Sequence, residues 1–301
     1  DEMVEVGAPE VTWGIGNIFL TTGGYAQPQD SGIKSNVISR IELEWLVRRR
    51  IYQIENIRFI TERDVRGLIA TADGKQVIGV ETESRADHRV EQIFAQLVVD
   101  ASGRGSKAPE WLQTLGYDAP QETVINAHTG YATRWYEIPA DASNDWAIVI
   151  QPRPGENLYC GGGLLVMEGN RWVVTLLGAN GDYPPTDEEG FMNFAKSLPG
   201  SDIYEAIKNA KPISPIYGYR KLENRMRHYE RLARRPEGFI VTGDAACALN
   251  PIYGQGMTAA AMEAEMMGKT LRRYNGRSLA GFPAAFQKGL RRVADGPWLM
   301  A

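Results

Sequence analysis

Residues 238–274, GFIVTGDAACALNPIYGQGMTAAAMEAEMMGKTLRRY, constrain the fold of this chain most. Phe239, Ile240 and Val241 form a short apolar run between Gly238 and Gly243, which predicts a buried strand. Gly243-Asp244 closes that run, and Asn250-Pro251 signals a turn beyond it. Gly254-Gln255-Gly256-Met257 then opens an Ala- and Met-rich stretch with no breaker before Gly268, which predicts a helix. The order is therefore strand, acidic residue, Gly-rich loop, helix N-terminus. The first turn of a helix carries unpaired N–H groups and partial positive charge. Glycines let a ligand approach the backbone, and a carboxylate at a strand end accepts hydrogen bonds from sugar-like hydroxyls.

Gly243-Asp244-Ala245-Ala246, Asn250-Pro251 and Gly254-Gln255-Gly256-Met257 together resemble the second flavin motif of FAD-dependent monooxygenases of the para-hydroxybenzoate hydroxylase fold. The resemblance implies that Asp244 binds the FAD ribityl chain and that the amides around Gly256 and Met257 face the flavin pyrimidine ring. Gly243, Pro251, Gly254 and Gln255 complete the implied loop. Residues 254–259 also fit G-x-G-x-x-A, but the spacer from Asn250 to Tyr253 separates them from the strand, against a dinucleotide βα turn.

Further upstream, Leu97-Val98-Val99 predicts a strand leading into Asp100-Ala101-Ser102-Gly103-Arg104-Gly105-Ser106. The hydroxylases carry D-G-x-x-S here. Gly103 and Ser106 match it, while Ser102 stands in place of the Asp tied to flavin and nicotinamide. Ser102 and Gly103 are thus implied flavin contacts, and the neutral Ser102 argues against direct nicotinamide reduction. The electron source stays open between NAD(P)H and a reductase partner, a flavin reductase or a ferredoxin. Arg104 and Lys107 supply the counter-argument, because their charge suits a nicotinamide phosphate. Arg40 matches the arginine that opens a helix near FAD in this family.

The combination most resembles the epoxidase-like branch. It implies oxygen insertion into an apolar or aromatic small molecule through a flavin C4a-peroxide, with no side chain named as catalytic. A FAD-dependent reductase or dehydrogenase of a prenyl-like lipid is the alternative, and a non-catalytic module binding an apolar ligand is another. Residues 134–139, RWYEIP, match the halogenase W-x-W-x-I-P box only at Ile138-Pro139, which disfavours a halogenase. No G-x-G-x-x-G follows a strand near the start, since Phe19 occupies the third glycine position after Gly14 and Gly16. The expectation is a fragment lacking the N-terminal βαβ unit of related flavoproteins.

Helix and sheet signals fill in the rest. Ser39 and Glu42 form a capping box before Ile41, Trp45 and Leu46. Residues 56–99 read as a β-meander with Asp73-Gly74 as a two-residue hairpin turn. Residues 126–180 read as an antiparallel sheet of about four strands, a wall for substrate, with Glu168-Gly169-Asn170 as a hairpin loop and NLYCGGGLLVM as one strand. Tyr131, Thr133 and Trp135 share one face, Ala132, Arg134 and Tyr136 the other, and either face suits a pocket. Residues 186–208 read as an amphipathic helix broken at Leu198-Pro199-Gly200, with Phe191, Phe194 and Ala195 inward, and residues 283–293 as a last helix.

The resulting fold class is α/β (α+β): part of an FAD-binding Rossmann-like domain plus an antiparallel-sheet substrate domain. Expected divisions are strands joining the substrate domain (1–30), a flavin-domain part with the meander (31–125), the substrate domain (126–235) and a second flavin-domain part (236–301). The formal net charge of -4 gives no case for nucleic acid, two separated cysteines give none for a disulfide framework, and three histidines give none for a histidine metal site. No apolar run approaches a membrane span, and the acidic start lacks a signal-peptide core, so a cytoplasmic location is the expectation.

Overall fold

A computed structural model describes residues 2–142, 145–152, 160–220, 222–274 and 278–300. The chain divides into two compact units, Asp1–Arg58 with Ala127–Lys221, and Phe59–Asn126 with Leu222–Ala301.

The first unit is built on a seven-stranded sheet in the order Tyr217–Tyr219, Gly130–Glu137, Arg171–Gly178, Gly161–Met167, Ile148–Pro152, Asn17–Thr21, Gly24–Tyr25. Neighbours are antiparallel except Ile148–Pro152 beside Asn17–Thr21, which run parallel. The four strands expected within 126–180 are thus joined by three from outside that range. Residues 157–159 of the expected NLYCGGGLLVM strand lie outside the described residues. One sheet face is core: Ala132, Tyr136, Leu164, Trp172 and Val174 pack against Phe191, Phe194 and Ala195. Those three residues sit on the helix Glu188–Lys196, whose Asp187 N-cap accepts from Gly190 N at 2.8 Å. Pro199-Gly200 ends this helical stretch, and Asp202–Ile207 resumes it.

Arg134 lies on the buried face, 8% exposed. Its guanidinium bonds both Glu188 oxygens, at 2.6 and 2.7 Å, and Ser214 O at 3.2 Å, so the buried charge is paired. Tyr131, Thr133 and Trp135 therefore belong to the opposite face, part of which is covered where Ile148, Ile150, Leu165 and Met167 pack with Val11 and Val37. Directly opposed residues share a side, so Thr133, Thr175, Gly163, Ile150 and Phe19 form one row across it. Thr133 and Thr175 share a hydroxyl–hydroxyl bond of 2.9 Å. A Cβ on Gly163 would meet only ordinary contacts, the nearest being Ile150 Cδ1 at 3.6 Å.

The helix Arg40–Tyr52 also belongs to this unit. Ser39 Oγ accepts from Glu42 N at 3.2 Å, but the reciprocal bond comes from elsewhere: Ser39 N donates to Glu168 Oε2 at 2.9 Å. The capping box is completed by the hairpin carboxylate instead of Glu42. That bond, and the pairing of Lys34–Asn36 with Glu10–Thr12, tie residues 31–58 to the first unit, where the sequence division placed them with the flavin part.

The second unit contains the meander Arg63–Ala70, Val77–Ser84, Val90–Phe94. Residues 57–60 form no strand. The Asp73-Gly74 connection is longer than a two-residue turn: Thr71 N bonds Gln76 O, and Asp73 takes the Thr71 hydroxyl and Lys75 N. Val98–Asp100, shifted one residue from expectation, runs parallel to Phe239–Val241. The latter strand is buried throughout, against Phe282, Phe286 and Leu290 of the helix Phe282–Met300. The helix Gly256–Leu271 runs past Gly268 and packs on Phe282–Met300. Asn224–Arg227 sits between Glu122–Ile125 and Cys247–Ala248, which carries residues 222–235 into this unit and out of the expected substrate part.

Candidate functional site

The parallel pair sets the site. Asp100 stands opposite Val241, and Thr242 N donates to Asp100 O at 2.9 Å. The loops that follow both strands therefore leave the same end of the pair, where open α/β sheets bind ligands. This brings Ser102 and Gly103 beside Gly243 and Asp244.

Each loop is braced from within. Asp100 is buried, accepting from Ser102 N at 2.9 Å and from Ser106 Oγ at 2.5 Å. Its carboxylate is committed to the loop and does not replace the charge absent at Ser102. The Arg104 guanidinium bonds Glu223 O at 2.7 Å and Leu249 O at 2.8 Å. Those contacts occupy the group that the sequence offered to a nicotinamide phosphate. Arg227, 7% exposed, bonds Glu122 at 2.8 Å, Ala245 O at 2.9 Å and Arg104 O at 3.4 Å. One planar guanidinium thus ties the two strand-end loops together.

Glu263 supports the corner from behind. It sits on the helix Gly256–Leu271, seven residues after Gly256 and so on nearly the same face. Its Oε2 accepts from Thr242 Oγ1 and from Gly243 N, both at 2.7 Å. Burial pushes its carboxyl above the usual range, against the lowering effect of those bonds. Burial likewise pushes the Cys247 thiol up to about 12, which makes it an inert packing residue.

From the corner the chain reaches the helix in three steps. The Asn250 side chain accepts from Ile252 N at 3.1 Å, starting the short turn Pro251–Tyr253. Gly254 ends that turn at φ 65, a conformation that favours glycine. Gln255 then precedes the helix without capping it through its side chain. Its Nε2 bonds Met300 Sδ, and its Oε1 is buried with no partner among the described residues. Its side chain thus leaves the first-turn amides uncapped. A Cβ on Gly103, Gly105, Gly243, Gly254 or Gly256 would meet nothing within 4 Å.

Asp244 is exposed and Met257 half-exposed at this open surface. The residues fit the ribityl and ring end of a flavin: an acidic strand end, open glycines and an uncapped helix N-terminus. Arg40 lies in the first unit, at the start of its helix, with its side chain 70% exposed and 3.8 Å from Glu44. The sequence singled out neither Glu263 nor Arg227. Glu263 left one weak signal, a carboxylate within the Ala- and Met-rich helical run that also holds Glu265, and Arg227 left none.

The architecture is that of FAD-dependent monooxygenases and flavin-dependent halogenases. The myxobacterial chondrochloren halogenase CndH superposes with a TM-score of 0.74 at 14% identity, over 100% of this chain and 68% of its own. PqsL of Pseudomonas aeruginosa, described as a probable FAD-dependent monooxygenase, gives 0.69 at 15% identity, over 96% and 76%. The p-nitrophenol 4-monooxygenase PnpA of Pseudomonas putida gives 0.63 at 16% identity, over 91% and 67%. In sequence the chain is similar to Protein Rv3254 of Mycobacterium tuberculosis, 29% identical over 307 residues; the match covers 99% of this chain, which spans 64% of that protein's length. No family model matches. Among the described residues no helix is long and apolar enough to cross a membrane.

Proposed function

We propose that this protein is an FAD-dependent oxidoreductase, and specifically a flavin monooxygenase that inserts oxygen into an apolar or aromatic small molecule. The observation that carries the reading is the uncapped N-terminus of Gly256–Leu271 beside an exposed Asp244 whose corner is held by Glu263. Bound FAD would supply the redox and oxygen chemistry.

Around it, each residue has a separate task. Asp244 accepts hydrogen bonds from the ribityl hydroxyls. The Gly256 and Met257 amides, at the positive end of their helix, would donate to the electron-rich pyrimidine edge of the ring. Gly103, Gly243 and Gly254 leave room for the cofactor, and Ser102 offers it a neutral hydroxyl. Arg40, opening its helix, and Pro251 and Gln255 on the loop complete the binding set. The part of the first unit's sheet face that carries Tyr131 and Trp135 is the wall proposed for substrate.

Electrons come from NAD(P)H or from a flavin reductase or ferredoxin partner. The same wall suits a prenyl-like lipid, so reduction of such a lipid is the competing reading. The test uses the purified full-length protein. Co-purifying FAD, and incorporation of labelled oxygen from O₂ into a phenol or alkene panel after reduction, is the expected result. Flavin-bound protein that reduces prenyl chains without consuming O₂ overturns oxygenation in favour of the reductase. A colourless protein that takes up no added FAD overturns the flavin reading altogether.

A further inference from the structure

Glu263 is an acid with no part in the binding set above. It is 2% exposed on a helix whose other acid, Glu265, is exposed and paired with Lys269. An acid there costs desolvation unless its oxygens are used. Here a single oxygen takes both the Thr242 hydroxyl and the Gly243 amide, two successive groups at the end of the buried strand. Gly243 stands at φ 61, and the following Asp244 is the exposed residue of the turn Gly243–Ala245. The two bonds fix the peptide plane before Gly243, and with it the direction in which the Gly243–Asp244 backbone leaves the strand. The charged groups facing Glu263 are Asp244 and, when ionised, the Cys247 thiol. Neither is a cation, so among the described residues no counter-ion faces the carboxylate. Its partners are two neutral donors on the corner that presents Asp244.

We infer that Glu263 is a positioning residue for the flavin, acting through Asp244: its carboxylate locks the Thr242–Gly243 corner so that the Asp244 carboxylate is held toward the cofactor's polyol chain. The inference rests on the flavin reading above and adds to it a residue that touches no cofactor. A carboxylate that locks a corner differs from one that merely fills the core. Its effect on FAD must pass through Asp244, and an uncharged acceptor of the same shape must replace it. The Gln side chain supplies such an oxygen.

The experiment is a double-mutant cycle on FAD affinity in the full-length protein, measured by flavin fluorescence quenching, with a thermal melt for each variant. Asp244→Ala should weaken FAD roughly thirty- to hundredfold, the loss of a charge-assisted bond pair. Glu263→Ala should weaken it at least about tenfold in the wild-type background and less than about threefold in the Asp244→Ala background, because the positioned group is already gone. Glu263→Gln should stay within about threefold of wild type. If Glu263→Ala does not fold, Glu263→Asp serves in its place, its carboxylate withdrawn by one methylene. Equal losses in both backgrounds, or a Gln variant as weak as the Ala variant, overturn the positioning role while leaving the flavin site standing. Wild-type protein that binds no FAD overturns the functional reading and the role together.

Discussion

Arg227 offers the sharpest test of how the candidate site is held. Its guanidinium reaches Glu122, Ala245 O and Arg104 O from a side chain that is 8% exposed. Arg227→Met keeps the aliphatic stem and removes every donor. The cost is bounded on two sides. Breaking a fully buried ion pair costs about 3–5 kcal/mol, most of it from the charge left behind. Here the abandoned charge is Glu122, 31% exposed and still bonded to Arg225 at 2.8 Å, so it remains solvated and paired. That removes the larger part of the penalty. What remains is the loss of a charge-assisted donor to Ala245 O and a weaker one to Arg104 O, about 2–3 kcal/mol together. Arg227→Lys should recover less than half, because an ammonium cannot satisfy three acceptors arranged around a plane. Urea unfolding of the full-length protein near neutral pH, with Glu122→Gln as the cycle partner, measures this. FAD affinity should fall alongside stability, since both strand-end loops lose their shared brace. A stability loss below about 1 kcal/mol for Arg227→Met would refute the bracing argument.

Further outcomes follow from the same structure. Burial raises the Glu263 carboxyl above 4.5, so the folded state binds that proton more tightly than the unfolded chain. The associated stability is full below the unfolded value and is lost as pH rises through the folded one. Glu263→Gln should therefore gain in urea midpoint relative to wild type as pH rises above 4.5, and a constant difference would contradict the raised carboxyl. Gly163→Val adds bulk between Thr175 and Ile150 on the sheet face proposed for substrate. It should fold, yet weaken binding of a planar probe such as 2-naphthol roughly tenfold, a crowding cost of ~1–3 kcal/mol; unchanged probe binding would remove that face from the substrate site. With a neutral Ser102, and Arg104 engaged by two carbonyls, the flavin should be reduced slowly by NADPH alone and faster by a flavin reductase or ferredoxin. Anaerobic stopped-flow bleaching checks this, and complete reduction by NADPH within about a second would make the enzyme self-sufficient.

The strand, corner, loop and helix of 238–271 were legible because each is a local decision. An apolar triplet, a glycine at positive φ, an Asn-Pro turn and an Ala-rich run need no distant partner to be recognised. The sheet was legible as alternation, but its inside face was not. Arg134 misleads there: a charged residue argues for the solvent side, yet the Glu188 carboxylate, 54 positions later, lets it sit in the core. The same reason hides the braces of the candidate site. Arg227 meets Glu122 from 105 residues away, Arg104 meets Leu249 from 145, and Glu263 meets Thr242 from 21. Each is an ordinary charged residue until folding supplies its partner. The residues expected to touch a cofactor are thus written in local backbone chemistry, whereas those that hold them in place are written only in tertiary contacts. A substitution at Asp244 should therefore change binding more than stability, and one at Arg227 should change both. The ratio of those two effects, measured residue by residue, separates ligand contacts from braces without knowledge of the substrate.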